Sequence, residues 1–449
     1  MEQRHPRRVC VVAVLLIALS LPGGRLAAQD NQSKWTLEEL VGVALDRNLG
    51  LAVSKAGIAI TDEGVNAARG ERRPRLDAVG RGEYFPRRER LLIFRHGFRR
   101  GDNPFEKAIV NYGLEVTLPL YTSGRIEHGI ALAEAQAVAS LSRVQLTRNQ
   151  LIFNVASVFY TALRVQQVIG AQEAALSSLR ESLRIAELQR EVGRIATVDK
   201  LRIETSASQA ERDLAGARNA YKQTLEVLKE LINVPTEVAI DVTGQLVKAP
   251  TAGQSELLRE QALTQRPDLM VLRQEVGARR EAVGIAESRL GPSLDLKAGY
   301  RGVTGIDDGT TRDDATLYLQ FRMPLYEGGV FRAQRSKALA QLRQAELRLR
   351  DAERRALAEV ARAVLDLQTA DPRSKAAARA VEQAEESLRI EREKFAQGRG
   401  TSNDLLLAER ALLGSRMELA AVLSDSQIAR AALNLAVGND PVATSQGNN

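Results

Sequence analysis

The stretch LPLYTSGR at residues 118–125 decides the fold of this chain, because it returns as MPLYEGGV at residues 323–330. Both stretches carry a proline in an apolar segment, and glycine follows within a few residues. Proline cannot donate to a strand ladder and glycine permits a sharp change of direction, so each stretch predicts a strand that leads into another element. The chain therefore contains an internal duplication with an offset of 205 residues.

A second motif repeats behind the first one. EVGRIATVDKL at 191–201 corresponds to FAQGRGTSNDL at 395–405, and both contain a Gly-Arg pair. In each copy 68 residues separate the two motifs, from Arg125 to Gly193 and from Val330 to Gly398. These intervals are rich in Ala, Leu, Glu, Arg and Gln, so each predicts one helix about 100 Å long.

Shorter helices flank each long helix. Helices of about 35 residues are predicted over Thr36–Gly70, with a Thr36 and Glu39 cap, and over Ser255–Leu290, with Ser255 as its cap. Return helices of similar length follow the Gly-Arg turns, over Val198–Asn233 and Asn403–Val437. Two helices of roughly 50 Å placed end to end match one of roughly 100 Å. Each copy is therefore expected to place a stacked pair beside one long helix.

Four stretches alternate apolar and polar residues with a period of two, over 75–84, 110–120, 294–300 and 316–325. Strands of about ten residues with this pattern suit an outer-membrane barrel with apolar side chains toward lipid. A soluble sheet with one face packed on helices gives the same pattern and stays the alternative. Four strands are too few to close around a channel. An open sheet edge cannot lie in lipid, because its backbone groups would have no hydrogen-bond partners. If the strands cross a bilayer, several chains must share one barrel.

The N-terminus has the features of a secretory signal peptide over residues 1–28, with a basic start and an apolar run at 9–21. Cys10, the only cysteine, lies in that run, so a disulfide or a lipid anchor on cysteine is not expected in the mature chain. The leader carries +3 of the formal net charge of +7, which leaves about +4. Acidic and basic residues are mixed at helical spacing, so nucleic-acid binding is not expected. No run of 18 apolar residues predicts a transmembrane helix.

In their order and spacing these motifs resemble the TolC-like outer membrane efflux proteins. The resemblance is carried by TLEELVGVALDRN at 36–48, ALTQRPDL at 262–269, the two proline-containing stretches and the two Gly-Arg turns. It implies a mainly α fold with a membrane β-barrel, in which each chain of a homotrimer gives four strands to a shared 12-stranded barrel. A long periplasmic helical tunnel continues below that barrel.

The sequence patterns and the resemblance together predict a division of the chain. Its parts are a signal peptide (1–28), a first efflux-protein repeat (29–235), an equatorial connector (236–254), a second repeat (255–440) and a disordered tail (441–449).

The function implied by the resemblance is a passive exit duct in the Gram-negative outer membrane, serving efflux or type I secretion. Its partners would be two further copies, a periplasmic adaptor, an inner-membrane RND, ABC or MFS pump, and outer membrane lipid. No cofactor and no enzymatic activity are expected, because His96 and His128 lack metal-ligand spacing and no phosphate-binding loop occurs. A secreted coiled-coil structural protein or periplasmic adaptor, with its strands in a small soluble sheet, is the alternative.

The helical tips are the candidate contact sites for the adaptor. These residues build the turns and the starts of the return helices: Gly193, Arg194, Thr197, Asp199, Gly398, Arg399, Thr401 and Asp404. Glycine allows the chain reversal, Thr197 and Thr401 or Ser402 are candidate caps, and the aspartates suit a helix N-terminus. The resemblance implies that the Asp404 carboxylates of the three copies form a ring at a periplasmic gate. A carboxylate that only stabilises the helix start is the alternative.

Further residues mark junctions and differences between the copies. The strand-to-helix junctions are predicted at Pro119, Gly124, Pro324, Gly328 and Gly329. Pro372 stands where the first copy has Gln167, and it predicts a kink. The loop 86–108 is basic and the loop 301–314 is acidic, and in the barrel interpretation both face the cell exterior.

Overall fold

A computed structural model of the protein describes residues 33–84, 108–250, 254–306 and 311–442. Several predicted features lie outside these residues: the leader with Cys10, the basic loop except for Ala108, residues 251–253 of the connector, residues 307–310 of the acidic loop, and the tail from 443 onward.

The described residues form long helices, one large sheet and one small sheet. The helices are α1 Leu37–Arg47, α2 Leu49–Gly70, α3 Arg125–Glu191, α4 Thr197–Ile232, α5 Ser255–Gln265, α6 Pro267–Ser288, α7 Val330–Ala396 and α8 Ser402–Val437. The strands are β1 Ser33–Trp35, β2 Arg75–Tyr84, β3 Ala108–Tyr121, β4 Ile240–Val242, β5 Ser293–Gly305 and β6 Thr311–Arg322. Both 68-residue intervals are thus single helices of 67 residues.

The large sheet has the order β2-β3-β5-β6, and all neighbours are antiparallel. Its register places Leu76, Val116, Ala298 and Leu317 in one row across the four strands. Residues directly opposite each other share a face, so this face is apolar in the rows nearer the helices, and Asp313, Thr304 and Thr311 lie on it at the far end. The next row, on the other face, contains Asp77, Glu115, Gly299 and Thr316. β6 ends at Arg322, earlier than predicted, because the chain leaves the ladder before Pro324.

The sheet sets the order of the helices, because each of its strands is joined to one helix. α2 packs on α3 through Arg69 and Glu134 (2.7 Å), and α3 packs on α6 through His128 and Glu281 (2.7 Å). Arg335 of α7 pairs with Glu287 of α6 at 2.8 Å. Below the sheet the helices therefore follow the order α2, α3, α6, α7, and farther away α4 and α8 take the places of α2 and α6.

The two predicted helices of about 35 residues are each broken, which corrects the sequence interpretation. The first break lies at Asn48, whose side chain accepts a hydrogen bond from the amide of Leu51 (3.0 Å) and thereby starts α2. The Asn48 amide also donates to the carbonyl of Leu231 at the end of α4 (2.9 Å). Asn233, in a left-handed conformation with φ 50°, donates to the carbonyl of Arg47 (3.2 Å). The stacked pair is thus α2 on α4.

The second break lies at Arg266, directly before Pro267 at the first position of α6. The Arg266 guanidinium bonds to Asp268 (2.7 Å), to Glu359 of α7 (2.6 Å) and to the carbonyl of Ala436 at the end of α8 (3.1 Å). Its side chain is only 12% exposed. One residue therefore joins α6, α7 and α8, and α6 stacks on α8 as α2 stacks on α4.

The sequence patterns also missed a small parallel sheet at the middle level, formed by β1 and β4. It packs in an apolar cluster with α1, α3 and α4, which includes Leu40, Val155 and Leu228. Gln166, near the centre of α3, donates to the Tyr221 hydroxyl (2.6 Å) and to the carbonyl of Val242 (3.1 Å). The connector is therefore fastened to the first long helix.

The predicted helix caps have different outcomes. Thr36 and Glu39 form the expected capping box, in which the backbone and side-chain hydrogen bonds of Thr36 hold the pKa of the Glu39 carboxyl below its usual value. Ser255 does not cap α5, because the N-cap position is Gln254 and Ser255 is the first helical residue.

α7 continues through Pro372 without interruption. In the described part of the chain, every helix is too short or too polar to span a bilayer.

We expect Arg266→Ala to lower the free energy of unfolding by about 2–4 kcal/mol, because two carboxylates and a helix-end carbonyl lose their charged donor. Denaturant titration of the detergent-solubilised protein measures the loss. Arg259→Ala is the matched control, since Arg259 pairs at 3.5 Å with exposed Glu256, and it should cost less than about 0.5 kcal/mol. Equal losses in the two variants would contradict the role given to Arg266.

Candidate docking site at the helical tips

Each long helix ends in a glycine turn of the same geometry. Gly193 has φ +72° and Gly398 has φ +73°. The amide of Arg194 donates to the carbonyl of Gln189 (2.8 Å), and the amide of Arg399 donates to the carbonyl of Lys394 (2.9 Å). A left-handed glycine with such a bond five residues back satisfies the last carbonyls of a helix. The two glycine turns therefore reverse the chain while the last carbonyl groups of α3 and α7 stay hydrogen-bonded.

The fold brings the two tips together. Ser402, the first residue of α8, donates to the Asp199 carboxylate at 2.6 Å. Gln189 of α3 donates to the carbonyl of Phe395 at the end of α7 (2.8 Å). Phe395 is 1% exposed and packs in an apolar cluster that includes Ile203 and Leu405. The tips are therefore one packed unit, in which Asp199 contacts the other repeat.

The starts of the two return helices differ. Thr401 is the N-cap of α8, and its hydroxyl accepts from the Asp404 amide (3.1 Å) and donates to the Asp404 carboxylate (2.7 Å). Thr197 does not cap α4, because the N-cap position is Ala196 and Thr197 is the first helical residue. Asp404 thus stabilises the start of α8, and its role at a gate stays a prediction.

The turns present positive charge to solvent. Arg194 and Arg399 are exposed, and neither has an ion-pair partner among the residues that the structure describes. Carboxylates farther from the turns are paired instead. Hydrogen bonds from Arg184 and Arg389 hold the pKa of Glu181 and Glu386, respectively, below its ordinary value. The unpaired charges on the turn residues themselves, 192–194 and 397–400, are therefore basic.

The predicted junction residues lie at the opposite end of the long helices. Gly124 (φ +87°) and Gly329 (φ +83°) are the N-caps of α3 and α7, and Gly328 has φ +59°. Pro324 lies between β6 and α7. Pro119 does not end its strand: it pairs with Asp295 inside β3, and the register shifts between Pro119 and Tyr121. A bulge lets the ladder continue past a proline.

Sequence reasoning missed Ser402 as a contact between the repeats, and it missed Gln189 and Phe395 altogether. The 205-residue offset relates Ser402 to Thr197, which pointed to equivalent helix starts. No sequence pattern indicated that Gln189 reaches the other hairpin. Among the residues that the structure describes, no three His, Cys, Asp or Glu side chains are grouped as metal ligands.

Comparison with solved structures shows which fold the chain has. The outer membrane protein VceC from Vibrio cholerae superposes with a TM-score of 0.77 at 20% identity, covering 90% of this chain and 96% of that chain. The likeness confirms the predicted TolC-like fold, in which long helices continue from a sheet.

A family model described as outer membrane efflux protein matches residues 40–234 and 258–439. The chain therefore belongs to the outer membrane efflux protein family. The Brucella suis efflux protein BepC is 22% identical over 437 residues, which cover 95% of this chain and 90% of that protein. Nodulation protein T of Rhizobium leguminosarum bv. trifolii is 23% identical over 318 residues, covering 69% of this chain and 68% of that protein. The protein is a Gram-negative outer membrane efflux channel whose helical part lies in the periplasm.

We expect Gly193→Ala and Gly398→Ala each to destabilise the tips by about 1–2 kcal/mol, because a Cβ is strained at positive φ. Amide hydrogen exchange in the last turns of α3 and α7 should accelerate accordingly. Gly414→Ala is the control: it lies inside α8 with open space around its Cα, so the same change should stabilise the helix by about 0.5–1 kcal/mol. Unchanged exchange in both tip variants would contradict the assigned turn geometry.

Proposed function

We propose that three copies of the chain form a closed exit duct, and that an inner-membrane pump feeds it through a periplasmic adaptor at the helical tips. One observation carries this proposal. The helices α2, α3, α6 and α7 lie side by side in the same order as the strands β2, β3, β5 and β6 to which they are joined, so one chain has two different edges. β2 and α2 lie at one edge, and β6 and α7 lie at the other.

The edges of the sheet require a partner. Unpaired backbone groups in a lipid core cost several kcal/mol each, so an apolar sheet cannot leave β2 and β6 open there. Because the two edges differ, β6 of one copy pairs with β2 of the next, which is a heterologous contact. Such contacts close into rings when the rotation permits. Three copies then supply 12 strands, four from each.

The helices below the sheet have complementary free faces. On α2, Leu49, Val53 and Ile60 are 65%, 73% and 75% exposed. On α7, Leu339 and Leu347 are 39% and 50% exposed. Apolar stripes of this kind on a water-exposed helix are typical of a face that another helix covers. A second copy of the chain supplies that helix.

The packing inside one chain predicts the register of this seam. His128 of α3 faces Glu281 of α6. The offset of 205 residues relates His128 to Ala333, and the equal 22-residue lengths of α6 and α2 relate Glu281 to Glu63. If the packing repeats between chains, Ala333 faces Glu63. One heptad farther along these antiparallel helices, Ala340 of one copy then faces Ala56 of the next.

The polar face of the sheet supports a duct without a strong charge preference. On this face Arg75 pairs with Asp77 (2.7 Å) and Arg81 pairs with Glu83 (2.8 Å). Balanced charge leaves substrate selection to the inner-membrane pump, whether it is of the RND, ABC or MFS class.

Within this family, the alternative of a secreted coiled-coil structural or adaptor protein has no remaining support.

Cell fractionation followed by unheated gel electrophoresis tests the duct. We expect the protein in the outer membrane fraction as a heat-sensitive trimer, and we expect its deletion to raise sensitivity to exported compounds. A soluble periplasmic monomer would overturn the proposal.

The seam can be tested with Ala56→Cys combined with Ala340→Cys, since the only native cysteine, Cys10, lies in the predicted leader. Oxidation should link the chains and give dimers and trimers on a denaturing gel. The mismatched pair Ala56→Cys with Ala358→Cys places the second thiol about 27 Å farther along α7, so it should not link. Efficient linkage by the mismatched pair, or none by the matched pair, would refute this register.

A further inference from the structure

Where the sheet meets the helices, two side chains from the start of α3 lie on glycines of the second repeat. The His128 ring covers Gly284 of α6, and a Cβ at Gly284 would lie 2.6 Å from three atoms of that ring. Ser123 covers Gly291 in the same way, since a Cβ there would lie 2.6 Å from the Ser123 Cβ. Non-bonded carbon atoms in contact are about 3.5–4 Å apart. These four residues form what we call the internal joint, and its two positions on the second repeat require glycine.

The edge of the chain formed by α7 has small residues where the internal joint has large ones. The offset of 205 residues relates Ser123 to Gly328 and His128 to Ala333. The backbone agrees with this correspondence, because Ser123 and Gly328 have φ values of 51° and 59°. Gly328 and Ala333 are both exposed. The α7 edge therefore has free space at the places where α3 presents a hydroxyl group and an imidazole ring.

The edge formed by α2 has large residues where the internal joint has glycines. α2 and α6 both have 22 residues, and a proline stands four residues beyond the end of each helix. This correspondence relates Gly284 to Asn66 and Gly291 to Arg73. Asn66 and Arg73 are both exposed. The sizes at the two free edges are thus the reverse of those in the internal joint, so the large residues of one edge match the small residues of the other.

The two edges also carry complementary charges. Arg73 has no ion-pair partner among the residues that the structure describes, although the arginines on both sides of it, Arg72 and Arg75, are paired. Glu327 directly precedes Gly328, is exposed, and likewise has no ion-pair partner in the described ranges. A cation on one surface and an anion at the matching place on the other fix the register in which the two surfaces associate.

We propose that the α2 edge of one copy fills the free space on the α7 edge of the next copy. Asn66 packs over Ala333. Arg73 passes over Gly328, and its guanidinium group pairs with Glu327. The occupant of each edge is a second copy of the chain, and this inference therefore rests on the proposed function.

The reversal of sizes has a consequence for the duplication. A ring built only from first repeats would press Ser123 against Arg73 and His128 against Asn66, and such overpacking is destabilising. A ring built only from second repeats would place glycines against small residues and leave cavities, which are also destabilising. Filled joints throughout the ring require that the two repeats alternate. The differences between the copies thus specify that unlike edges meet.

The size reversal is tested by rebuilding the contact between copies in the form of the internal joint. Gly328→Ser combined with Ala333→His gives the α7 edge the side chains of α3. These should collide with Arg73 and Asn66 of the next copy and lower the temperature at which the trimer dissociates by about 10 °C, measured by gel electrophoresis of samples heated stepwise. Adding Arg73→Gly and Asn66→Gly gives the α2 edge the glycines of α6. The fourfold variant should recover at least about half of the loss.

A second set of variants tests the charges without changing the small residues. Arg73→Glu and Glu327→Arg should each lower the dissociation temperature, because each leaves two like charges close together, and the double exchange should restore it. Arg72→Glu is the matched control, since Arg72 pairs with Glu127 of the same chain at 3.1 Å. It should lower the dissociation temperature by less than about 2 °C.

Absence of recovery in the fourfold variant or in the double charge exchange would overturn the proposal, and so would an equal loss in the Arg72→Glu control. A wild-type trimer on unheated gels and linkage of Ala56→Cys with Ala340→Cys would still stand in that case. Failure of the size and charge match and failure of the duct are therefore separate results.

Discussion

The antiparallel pairing of β3 with β5 is the interaction on which the rest of the molecule depends, since this ladder joins the two repeats. It runs from Ile109 opposite Gly305 to Tyr121 opposite Leu294. β3 continues into α3, and α6 leads into β5, so the ladder forces α3 and α6 to lie side by side. The Ser123 hydroxyl then reaches the carbonyl of Pro292 at 2.6 Å, which closes the junction between sheet and helices.

Equal helix lengths carry this alignment to the other end of the molecule. α3 and α7 have 67 residues each, and α4 and α8 have 36 each. Deleting one residue from a long helix turns everything beyond it by about 100° and moves it by about 1.5 Å. The bonds from Gln189 to Phe395 and from Ser402 to Asp199 tolerate neither change. The equal interval between the motifs in the two copies is thus a structural requirement for joined tips.

The elements that could be predicted are those with a simple periodicity. Alternation alone placed Leu76, Val116 and Leu317 on one face, because a shift by one residue would turn every side chain to the other face. The two helix breaks were not predicted, for different reasons. The break at Asn48 depends on a tertiary contact, whereas the break before Pro267 has a local cause in the sequence. Asn48 looks like an ordinary helical residue until the end of α4 lies beside it. Pro267 was a local signal for a helix start, and the apolar pattern around it concealed that signal.

The duplicated helices are alike in length but are attached differently at the middle level. The connector holds α3 through the uncharged side-chain amide of Gln166, which donates to the carbonyl of Val242 (3.1 Å) and to the Asp241 carboxylate (3.2 Å). It holds α7 through an ion pair between Lys248 and Asp371, directly beside Pro372, where the missing backbone donor removes one bond of the helix. Salt weakens an ion pair between partly exposed groups far more than a neutral hydrogen bond. Ionic strength therefore acts more strongly on the attachment of the second long helix than on that of the first, and this difference lies beside Pro372, where the first copy has Gln167.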